Sequence, residues 1–62
     1  MDYPILRYFE FGHLPEKLQQ ISEPFHELAH SIVERLPRSA ETTVVLRKLL
    51  ESKDAAVRAA LD

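Results

Sequence analysis

His26-Glu27-Leu28-Ala29-His30 sets two imidazoles one helical turn apart with a carboxylate between them. This is the H-E-x-x-H pattern, in which the histidines hold zinc and the glutamate acts as general base. A catalytic zinc needs a third protein ligand. Six residues beyond His30, where one class of zinc proteases supplies it, stands Leu36. Glu51 from later in the chain, or His13, is the remaining candidate. A protease also needs a cleft and groups that polarise the scissile carbonyl, and 62 residues leave little material for them. With Phe25, Leu28 and Ile32 facing inward on a helix, His26 and His30 turn outward, as solvated side chains. No metal is therefore assigned. A minimal zinc hydrolase on His26, Glu27 and His30, and a non-catalytic metal site on His26 and His30, stay as alternatives.

The other chemistry lies in cations and rings. Arg47, Glu51, Asp54 and Arg58 share one helical face at i, i+4, i+7 and i+11. That spacing permits Arg47–Glu51 and Asp54–Arg58 ion pairs, each worth a few tenths of a kcal/mol. It equally permits Arg47 or Arg58, repeated by symmetry, to clamp a phosphate through two parallel bonds. Thr42 and Thr43 would add donors for an anion near a helix start. Lys53 falls close to the core line, where a lysine must snorkel or find a partner. Tyr8, Phe9 and Phe11 either stack nucleobases or pin the N-terminal segment to the rest of the fold. The chain has no cysteine, no nucleophile elbow and no phosphate-binding glycine loop. An enzyme is not expected, and neither is a cofactor.

The elements that must position these groups follow from the apolar pattern. Residues 1–13 hold four of the five aromatics and read as an extended arm. Leu14, Leu18, Ile21, Phe25, Leu28 and Ile32 alternate steps of four and three, which predicts a helix over about 14–36 with a heptad seam. Pro15 suits its first turn, and Pro24 predicts a kink within it. Leu36-Pro37-Arg38-Ser39 is a break, with Ser39 as N-cap and Glu41 in the first turn of a second helix over about 39–61. Two helices of ~33 Å joined by a short loop give an all-α antiparallel helical hairpin, one domain over residues 1–62. The second helix carries too broad an apolar stripe for one partner (Val45, Leu46, Leu49, Leu50, Ala56, Val57, Ala60, Leu61). Assembly as a homo-oligomer is expected.

Eight basic against ten acidic residues give a net charge of −2, which disfavours duplex nucleic acid as partner. No uncharged run reaches the ~18 residues of a membrane span. The first residues lack the basic start and apolar stretch of a secretory signal, so a cytoplasmic protein is expected.

Two strings carry a resemblance. Phe9-Glu10-Phe11-Gly12-His13-Leu14-Pro15-Glu16-Lys17-Leu18-Gln19 is an aromatic-x-aromatic-x-H-L-P entry. Glu41-Thr42-Thr43-Val44-Val45-Leu46-Arg47-Lys48-Leu49-Leu50-Glu51-Ser52-Lys53-Asp54-Ala55-Ala56-Val57-Arg58 is the helix that follows. Over roughly residues 9–60 the chain resembles small phage helical-hairpin proteins, the anti-CBASS sponges with an Acb/Tad-type hairpin domain. The resemblance implies a non-enzymatic protein of the host cytoplasm, typically a hexamer, that sequesters cyclic di- or trinucleotide immune signals between protomers. For such a ligand the chain's own cations, hydroxyls and rings offer Arg47, Lys48, Thr43 and Arg58 as phosphate candidates and Tyr8, Phe9 and Phe11 as base-stacking candidates. The chain is shorter than the better-characterised sponges, and the His26–His30 string has no counterpart in what that family does. The rival reading is a module that docks a host or phage protein through the second helix.

Overall fold

The computed structural model describes residues 3–62; Met1 and Asp2, the start of the expected arm, lie outside the described residues. Three helical elements follow in order: a 3-10 helix over Pro4–Phe9, α1 over Glu16–Arg35 and α2 over Ala40–Leu61. The described residues contain no strand. The two long helices pack against each other, and the 3-10 helix packs on both.

The N-terminal segment is a correction to the sequence reading. It is not extended. Pro4 sits in the first turn, where its fixed φ favours helix and its missing N–H is harmless. The Leu6 N–H donates to the Tyr3 carbonyl at 2.9 Å. A 3-10 helix repeats every three residues, so Tyr3, Leu6 and Phe9 fall on one face. That face turns inward: Tyr3 and Phe9 join Ala29 and Leu46 as the buried core, with Leu6 packed against it. Half of the core thus comes from outside the hairpin.

In α1 the buried face is rotated from the expected seam. Ser22 and Ala29 are the fully buried positions, while Leu28 is 49% exposed. Phe25, Ile32 and Val33 pack against the core from either side. Small residues one heptad apart let two helices approach closely, and α1 presents that line inward rather than the Leu28 side. The helix runs through Pro24 without a break. The Ser22 hydroxyl is buried with no partner among the described residues, an arrangement that costs about 1–3 kcal/mol.

Ser39 caps α2: its Oγ accepts from the Thr42 N–H at 3.1 Å. The Thr42 hydroxyl donates to the Pro37 carbonyl at 2.7 Å and fastens the interhelical loop. Both donors of Thr42 are thereby engaged in the turn.

Candidate functional site

The 3-10 helix ends with carbonyls that its own short ladder leaves open. The two long helices close them. Lys53 of α2 donates from Nζ to the Tyr8 carbonyl at 2.7 Å. His26 of α1 sets Nδ1 3.2 Å from the Phe9 carbonyl. Lys53 therefore finds, within its own chain, the partner that its place near the core line demanded. His26 is not a solvated side chain: it is half buried, with the Phe11 ring edge-on at 5.2 Å and the His30 ring at 4.4 Å. His30 is exposed, as its spacing predicted.

This docking leaves a concavity on each side of Tyr3. One, of about 490 Å³, lies at the start of α2 and is lined by Tyr3, Pro4, Arg38, Ser39 and Thr43 among others. The Arg38 guanidinium stands 5.2 Å from the centre of the Tyr3 ring. The positive end of the α2 dipole opens here. The Tyr3 hydroxyl is buried without a partner among the described residues. The other concavity, of about 430 Å³, is lined by Tyr3, Leu6, Arg7, Glu10, His26 and His30 among others.

The residues chosen from sequence are dispersed. Thr43 lines the first concavity, with its hydroxyl 3.4 Å from the Ser39 carbonyl. Arg47 is exposed one turn further along. Lys48 is exposed and pairs with Glu51 at 3.8 Å, a contact worth little in water. The Arg47–Glu51 and Asp54–Arg58 pairs do not form among the described residues. Arg58 is exposed about 22 Å along α2 from Thr43, so one small ligand does not reach both within a protomer.

Of the ring candidates, Phe9 is 0% exposed, which corrects its assignment as a base-stacking residue. Tyr8 is 52% exposed, with the Arg7 guanidinium 5.1 Å from its ring centre and 3.2 Å from its hydroxyl. Phe11 is half buried against His26. Sequence reasoning passed over Tyr3 and Arg38. Arg38 carried a signal: a cation just before an N-cap opposes the helix dipole unless an aromatic or an anion meets it. Among the described residues no three His, Asp or Glu side chains stand together as a metal site, so the zinc-hydrolase pattern gains no third ligand. Comparisons with family models, with curated proteins and with solved structures find no match.

Proposed function

We propose that the chain is a non-enzymatic sponge that assembles from several copies and sequesters a cyclic di- or trinucleotide signal of a bacterial anti-phage defence. The resemblance over residues 9–60 motivates the reading. The observation that supports it is the concavity at the start of α2, where Arg38, Ser39 and Thr43 are among the lining residues at the positive end of a helix. Phosphodiesters need cations and backbone donors; bases need flat apolar faces. A protomer offers these in fragments, with Tyr8, Arg47 and Arg58 exposed at separate places, and copies placed side by side would join them.

Titration calorimetry against a panel of cyclic di- and trinucleotides tests the proposal. At least one ligand should bind at micromolar affinity or tighter, and Arg47→Ala should weaken it more than Arg35→Ala. A flat panel removes the reading for those ligands; equal effects of the two substitutions move the site off that face of α2.

A second reading has one observation in its favour. Val44, Val45 and Leu61 are exposed on α2, which suits docking to another protein. Capture from host lysate that Val45→Lys abolishes would favour it over the sponge.

A further inference from the structure

Two features prepare His26 for a metal. A carbonyl oxygen can only accept, so the 3.2 Å contact with Phe9 assigns the imidazole proton to Nδ1 and leaves the lone pair on Nε2. The edge-on Phe11 ring, at an interplanar angle of 74°, restrains the ring plane. Metal-bound histidines carry this kind of support, donating the other ring N–H to a backbone carbonyl or carboxylate. His30 follows one turn later with its ring centre 4.4 Å away. Both rings line the same concavity, which Glu10 also lines.

We propose that His26 and His30 form a two-imidazole site for a late first-row divalent cation, Cu²⁺, Ni²⁺ or Zn²⁺, on the side of α1 that faces the 3-10 helix. Imidazole nitrogen favours these ions, whereas Mg²⁺ and Ca²⁺ require oxygen donors. The protein supplies two donors, and water completes the coordination, so the site is exchangeable rather than structural. Arg7 lines the same concavity, with its guanidinium against the Tyr8 hydroxyl and ring, and the Glu10 carboxylate there carries the opposite charge. Because His26 is bonded to the last residue of the 3-10 helix, a bound ion also strengthens the attachment of that helix to α1. The inference is independent of the sponge reading, and its test contains no nucleotide.

The test titrates tag-free full-length chain with ZnCl₂, with MgCl₂ as control, by calorimetry and by ¹H–¹⁵N spectra of the histidine side chains. Before addition His26 should show the Nδ1–H tautomer. Zinc should bind one equivalent per chain and move the His26 and His30 signals, and it should leave His13 in place. His30→Ala should weaken zinc at least about tenfold, and His13→Ala should leave affinity unchanged. His30 is exposed, so its substitution keeps the fold and the comparison stays valid even where His26→Ala unfolds the chain. Zinc binding by His30→Ala equal to that of the unsubstituted chain, movement of His13 together with the other two, or no heat and no shift at millimolar zinc would each overturn the site.

Discussion

Tyr8 and Phe9 are neighbours with opposite fates. In a 3-10 helix successive side chains diverge by a third of a turn, so one of two adjacent rings enters the core and the other meets water. Phe9→Ala should cost about 3–5 kcal/mol, most of the stability a chain of this size can have. Tyr8→Ala should cost under about 1 kcal/mol, because the residue is exposed and lies outside the core. Urea denaturation of both variants reads the difference, and similar midpoints would place the 3-10 helix outside the cooperative core. Ligand binding should respond in the reverse order if Tyr8 stacks a base. The sequence did hold the signal for Phe9. Tyr3, Leu6 and Phe9 recur every third residue, but so short a run competes with the alternation of Phe9 and Phe11, which suggests an extended chain.

At the scale of the element, local chemistry was legible and rotation was not. Ser39 was readable as a cap because the cap bond spans three residues. The inward face of α1 was not readable from its large side chains. The seam through Leu14, Ile21 and Leu28 is a genuine heptad line, yet the line of contact runs through Ser22 and Ala29. Which of two adjacent stripes turns inward depends on what arrives from elsewhere, here Leu46 and the 3-10 helix. Pro24 lies exposed inside α1 and removes one intrahelical hydrogen bond. Pro24→Ala should restore it and stabilise the fold by about 1–2 kcal/mol, after allowance for the greater freedom of the unfolded chain. A rise in the thermal midpoint with unchanged helical content is the expected outcome. A fall would mean that Pro24 serves the packing of α1.

The whole molecule is a short rod of 35 × 18 × 16 Å. Its radius of gyration is 11.8 Å against about 10.5 Å for a compact chain of this length. A rod has more surface per residue, and among the described residues four apolar side chains form the buried core. Leu28, Leu36, Val44, Val45 and Leu61 remain exposed, Leu61 at 67%. Chains this small usually need a further source of stability, and association would supply one. Sedimentation should give a mass above that of one chain, falling on dilution. Leu28→Lys should shift it toward the single chain with little loss of helicity, since Leu28 contributes little to the core of its own protomer. A single-chain mass for the unsubstituted protein at micromolar concentration would remove association from the account.

The two long helices, the break at Leu36–Ser39 and its cap follow from the residues alone, because propensity, prolines and capping act over a few residues. So does the surplus of apolar surface, which is a matter of composition. Packing between distant parts settles the rest: that Pro4–Phe9 is helical, that Leu28 faces out, and that Lys53 and His26 hold the Tyr8 and Phe9 carbonyls. The Lys53 contact joins groups 45 residues apart, and such a partner is chosen only when packing brings the two places together.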